Sequence, residues 1–181
     1  MSAKVLVKLN VFESDVVCVS LTALPKLLLE ASLEAKESDS GFWLLLLIES
    51  DLVAVSDSAF AIAKFLSTQK NVSKVNYPGL ESHPGHALAK KQMSGFGSTL
   101  SFEVVGGVKK LFEVMNNLRV IDISNNLGDS KSLITHPASS THRRLDEETR
   151  KAMGITDSLA RLSVGLEHPD DLIKDLEKAL Q

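Results

Sequence analysis

The sequence predicts an α/β domain of the layered α+β kind, strands interleaved with helices. Three observations point there. Short apolar runs with a period of two alternate with segments whose apolar residues fall three and four apart, which is the signature of strands interleaved with helices. Strong turn signals, Pro78-Gly79, Gly106-Gly107 and Gly128-Asp129, separate these runs. The composition, 44% hydrophobic and 24% charged with 10 Gly and 5 Pro in 181 residues, is that of a globular chain with a core of its own.

Taken in order, Val5, Val7, Leu9 and Val11 alternate with polar neighbours as a half-buried strand. Val16 to Val19 reads as a second strand, and Pro25 to Lys36 as a helix with proline in its first turn. From Ser50 to Leu66 the period becomes helical, with Leu52, Val55, Ala59, Ile62 and Leu66 on one stripe. Val72 to Tyr77 is a short strand, and His83 to Met93 a short helix with Pro84 near its start. Thr99 to Val105 is the clearest strand, and Gly106-Gly107 turns it into a helix over Val108 to Asn116. Val120 to Ile123 and Ser132 to Thr135 are further strands. A helix over Asp146 to Met153 and a last strand over Arg161 to Val164 follow. Pro169, Asp170 and Asp171 open the final helix, where a missing N–H costs nothing and acidic groups favour the helix dipole. Leu172, Leu176, Ala179 and Leu180 are its buried stripe.

Composition also excludes functions. A formal charge of -3 gives no cationic excess for coating nucleic acid. The single cysteine, Cys18, rules out an intrachain disulfide and a multi-cysteine metal site. The longest apolar block, Phe42 to Ile48, is far short of the roughly 20 residues of a membrane-spanning helix. Glu13 and Asp15 interrupt any signal-peptide core, so a cytoplasmic location is expected. All glycines, histidines and arginines lie at or after Gly41, which divides the chain into residues 1–40 and 41–181. The first part is expected to pack poorly or to dock as a loosely held appendage.

Four stretches are not generic. They are Val75 to Leu80 (Val-Asn-Tyr-Pro-Gly-Leu), Ser82 to Gly97, Asn126 to Ser139 with Thr141-His142, and Arg161 to Glu167 with Asp170 to Ile173. In this order they resemble the C-terminal domain of the pyridoxal-phosphate enzymes of cysteine and methionine metabolism. With the alternating pattern, that resemblance implies the small C-terminal domain of the aspartate-aminotransferase-like fold, a curved sheet with helices on one face. The wording around Asn125 to Ser132 is most similar to O-succinylhomoserine sulfhydrylases. The resemblance runs from about Ala59 to Gln181 and thinly back through Trp43, Leu44, Leu45, Glu49 and Leu52. Val53 and Ala54 stand where a basic residue is usual, and residues 1–39 resemble nothing in the family. That segment reads as an unrelated start or as the translation of a disrupted gene.

The resemblance implies a division of chemistry. The cofactor acts as an electron sink, while the protein supplies a Schiff-base lysine, an acid for the pyridine nitrogen, a phosphate loop and a fork for the substrate carboxylate. The first three belong to the family's large domain, and no Ser-x-Thr-Lys signature occurs here; Ser73-Lys74 and Ser130-Lys131 are the nearest dipeptides. The resemblance assigns the fourth element to Arg161, helped by Asn126. A guanidinium presents a planar fork to two carboxylate oxygens, and the bland alternative is a strand-end arginine paired with a nearby acid. On this reading the chain carries no catalytic and no cofactor-binding residue, and does not bind pyridoxal phosphate alone. The family's substrates would be homoserine esters or cysteine-type amino acids, and its members are oligomeric. The competing readings are a non-catalytic interaction module that docks on a full-length relative, and a degenerate product.

His83, His86, His136 and His142 lack the spacing of a zinc motif, and His136-Pro137 is read as shaping a loop. Gly95-Phe-Gly-Ser-Thr99 lacks the phosphate-loop pattern and is read as a turn into the sheet.

Overall fold

The structure, a computed structural model, describes residues 40–181, with side chains from Asp51 onwards. The two strands and the helix expected within residues 1–39 lie outside the described residues. The elements are α1 (Ser40–Ser67), β1 (Val72–Asn76), α2 (His86–Gln92), β2 (Thr99–Val104), α3 (Gly107–Asn117), β3 (Asp122–Ile123), β4 (Leu133–Thr135), a 3-10 turn (Pro137–Ser139), α4 (Glu147–Ala152), β5 (Leu159–Ser163) and α5 (Pro169–Leu180). Among the described residues, no helix is long and apolar enough to cross a membrane.

The strands form one sheet in the order β1-β2-β5-β4-β3. Its first four strands pair antiparallel, and β3 joins β4 in parallel. Register and pleat together sort the side chains. Leu100, Phe102 and Val104 of β2, Ala160 and Leu162 of β5 and Ile134 of β4 point to one face, and all are buried. Helices α1, α3 and α5 cover that face. Their contributions follow helical spacing: Ala59, Ile62, Ala63 and Leu66; Leu111, Val114 and Met115; Leu172, Leu176, Ala179 and Leu180. The expected sheet with helices on one face is therefore the observed architecture.

The opposite face is polar. One row of cross-strand partners runs Asn76, Ser101, Arg161 and Thr135 through four strands. Beside it a small second cluster, Ala138, Ile155 and Leu159, is contributed by the 3-10 turn, the α4–β5 connection and the start of β5.

Several boundaries differ from expectation for physical reasons. The final strand begins at Leu159 rather than Arg161, because Leu159 is buried on the far face while Ala160 is buried on the helix face, and two-sided burial erases the alternation. Only Asp122 and Ile123 of the expected Val120–Ile123 strand pair in the sheet. The N–H groups of Arg119, Val120 and Ile121 donate instead to the buried carboxylate of Asp175 on α5, at 2.9–3.2 Å. Helix α2 begins at His86 rather than His83, because residues 77–86 form successive tight turns and the His83 ring accepts from the Gly85 N–H at 3.0 Å. Helix α1 reaches back to Ser40 through the apolar run Phe42 to Ile48, whose lack of polar punctuation hides the period. At the β2–α3 junction Gly106 takes φ of 105°, a conformation that favours glycine.

Candidate functional site

The polar face is where side chains with recognition chemistry converge. Arg161 and Ser163 lie two apart on β5 and so share that face. Both hold the loop over residues 124–132. Arg161 Nη2 donates to the carbonyl oxygens of Asn125 at 2.8 Å and Asn126 at 3.4 Å. The Gly128 N–H donates to Ser163 Oγ at 3.1 Å, and the Leu166 N–H to the Ser130 carbonyl at 2.8 Å. The loop thus runs along β5 from the level of Arg161 to the turn after it.

Each end of the loop is pinned. At its start, Thr135 Oγ1 donates to Asn125 Oδ1 at 2.8 Å and lies 3.0 Å from Ser140 Oγ, which donates to the His136 carbonyl at 2.6 Å. At its end, Glu167 accepts from the Ser132 N–H and hydroxyl, both at 2.8 Å, and the Gly165 N–H donates to Ser132 Oγ at 2.9 Å. Gly165 is where the loop backbone presses closest. A β-carbon there would meet the Ser130 carbonyl oxygen and sit 2.6 Å from Ser132 N.

Of the two site residues expected from sequence, Arg161 is half-buried in the middle of the polar row, and Asn126 is exposed on the loop. The contact between them uses the Asn126 backbone carbonyl rather than its side chain. Asn125, Thr135, Ser140, Ser163 and Glu167 were not singled out as site residues. Thr135, Ser163 and Glu167 lie inside the motif stretches and Asn125 at the edge of one, but the relation of Thr135 to Arg161 becomes visible only through their register.

The histidines are engaged separately. His136 Nε2 lies 3.1 Å from the Asp157 carbonyl and Nδ1 2.8 Å from Ser139 Oγ, so a neutral ring donates from Nε2 and accepts at Nδ1. Burial, the largest influence, lowers its proton affinity below that of an ordinary histidine. His86 bonds the Pro78 carbonyl at 2.8 Å and stacks on Phe96. Among the described residues, no group of three or more His, Cys, Asp or Glu side chains is arranged to hold a metal.

Lysines line the outside. Of those whose side chains are described, all but Lys110 are exposed, and Lys110 pairs with Glu113. Lys131, within the loop that Arg161 holds, pairs with Asp122, and that hydrogen bond raises its proton affinity.

Comparison with known proteins agrees with this architecture. Residues 51–181 match the family model described as Cys/Met metabolism PLP-dependent enzyme. The L-methionine gamma-lyase of Fusobacterium nucleatum subsp. polymorphum is 48% identical over 124 residues, covering 68% of this chain and 31% of that enzyme. The O-succinylhomoserine sulfhydrylase of Mycobacterium tuberculosis is 50% identical over 127 residues, covering 68% and 31%. A crystal structure of cystathionine gamma synthase from Xanthomonas oryzae pv. oryzae, in complex with aminoacrylate and cysteine, superposes with a TM-score of 0.71. It is 42% identical and covers 77% of this chain and 35% of that one. The chain spans about a third of the length of the curated relatives it matches.

The cofactor of that family is anchored through a lysine that reacts as the neutral amine, a state favoured by a desolvated pocket or a neighbouring cation. The described lysines do not fit that requirement: they are exposed or paired with carboxylates, and Lys131 is held more firmly protonated than usual. What the described residues offer is an arginine fork on a sheet. The motif order, the one-sided sheet and the match over residues 51–181 together show that this chain belongs to the Cys/Met metabolism PLP-dependent enzyme family.

Proposed function

We propose that this chain is the substrate-carboxylate-binding part of a transsulfuration enzyme of the O-succinylhomoserine sulfhydrylase type, acting in methionine biosynthesis in the cytoplasm. Within a complete enzyme the reaction is elimination at the γ-carbon of an activated homoserine followed by addition of sulfide. The contribution of these residues is orientation: Arg161 binds the carboxylate and Asn126 assists, with no proton transferred by either. On this reading residues 41–181 are the family domain and residues 1–40 a segment whose sequence is not family-like.

The observation that carries the reading is the position of Arg161, central in a polar row and held by the Asn125 and Asn126 carbonyls. The relative solved with aminoacrylate and cysteine holds two molecules that each bear a carboxylate. A titration of the 15N-labelled chain with O-succinyl-L-homoserine and with its α-carboxamide tests this. Charge-assisted bonds worth roughly 1.5–3 kcal/mol each compete with the cost of immobilising a small ligand, so weak binding is expected. Resonances of Arg161 and Asn126 should move with the acid and not with the amide, and Arg161→Gln should abolish the response. Equal responses to acid and amide would refute the carboxylate role.

A second reading, a non-catalytic module that docks on another protein, has its own support. Ile123, Leu127 and Leu166, on or beside the same loop, leave about half of their surface exposed. Sedimentation of the chain with and without a full-length relative separates the two readings.

A further inference from the structure

We infer that Thr135 is a positioning residue that sets the orientation of the Arg161 guanidinium through the Asn125 side chain; this rests on the carboxylate-binding reading of Arg161. Thr135 is 3% exposed and is the cross-strand partner of Arg161 on the polar face. Its hydroxyl does not reach the arginine. It bonds Asn125 Oδ1 at 2.8 Å instead, on the residue whose carbonyl accepts from Arg161 Nη2 at 2.8 Å.

The chain of contacts fixes a plane. The guanidinium is rigid and planar, with five N–H donors in one fork. Holding a single terminal nitrogen against the successive carbonyls of residues 125 and 126 sets how the whole fork is turned about its long side chain. Those carbonyls lie on an exposed loop, and at this end the loop is tied to the sheet by the Asn125 side chain. Thr135 is fixed by its place on β4 and by burial, with Ser140 Oγ packed 3.0 Å from its hydroxyl oxygen while the Ser140 proton goes to the His136 carbonyl at 2.6 Å. The order thus passes from β4, through Thr135 and Asn125, to the arginine. The Ser124 N–H bonds the Ile134 carbonyl at 3.0 Å, and the far end of the loop has its own anchors in Ser163, Gly165 and Glu167, so loss of the Thr135 contact loosens the Asn125 and Asn126 carbonyls without detaching the loop.

The test compares Thr135→Val, which keeps the branched shape and removes the hydroxyl, with Thr135→Ser, which keeps the hydroxyl. The readout is the exchange protection of the Arg161 Nη protons in the 15N-labelled full chain, assigned against Arg161→Lys, with backbone amide resonances of β2 and β5 reporting the fold. Thr135→Val should lose that protection while the β2 and β5 resonances stay in place, and Thr135→Ser should retain it. In the same samples, affinity for O-succinyl-L-homoserine should fall roughly three- to tenfold in Thr135→Val and stay within about twofold in Thr135→Ser. Unchanged Arg161 protection in a folded Thr135→Val overturns the inference. If Thr135→Val does not fold, loss of protection in a folded Thr135→Ser, or retained protection in Asn125→Ala, overturns it equally. Absence of any amino-acid response in the wild-type chain counts against the carboxylate reading, while the protection data still decide the role of Thr135.

Discussion

Gly165 and His136 show how single residues set the conditions for the Arg161 site. Gly165 is small because the loop backbone lies against its α-carbon, with Ser132 N 2.6 Å from where a β-carbon would sit. Backbone cannot swing aside as a side chain can, so Gly165→Ala should lower stability by about 1–3 kcal/mol, read as a drop in Tm, and should broaden the Gly128–Ser132 resonances. His136 makes stability depend on pH. Its proton affinity in the fold is lowered, chiefly by burial, so the unfolded chain takes up a proton first as pH falls. The contribution is complete above the ordinary histidine value near 6.5 and is lost as pH drops below it towards the lowered folded value. Urea unfolding at pH 7.5 and 5.5 should show the lower stability at 5.5, and His136→Gln should reduce the difference.

Among the elements, α5 does more than fill the core. Its apolar stripe was legible from Leu172, Leu176, Ala179 and Leu180, but Asp175 on the same buried side was not. An acid on an apolar helix face makes sense only with its partners, three consecutive N–H groups some 55 positions earlier. Those bonds also decide where β3 starts. Asp175→Asn keeps the shape but turns an amide donor towards donors, and should cost about 1.5–3 kcal/mol in urea unfolding, with Arg119 to Ile121 amides losing exchange protection. Strands buried on one face, such as β2, could be read from their period. Strand β5 could not be read fully, because its start is buried on both faces. Arg161 was recognisable by its motif but Thr135 was not tied to it: Thr135 reaches the site through register, a property of pairing rather than of sequence spacing, whereas Ser163 shares the face simply by lying two residues on.

The described residues make up a one-sided layered domain: α1, α3 and α5 are packed on one face of the sheet, and the other face displays a polar row with a tethered loop. The family match over residues 51–181 explains why motif order carried the reading further than composition did. The central claim is that this chain holds the carboxylate fork of a pyridoxal-phosphate enzyme without the lysine that anchors the cofactor. Incubation of the full chain with pyridoxal phosphate, reduction with borohydride and peptide mass spectrometry test it most directly. The expected result is sub-stoichiometric labelling scattered over exposed lysines, whereas one equivalent of label on a single lysine would contradict the claim.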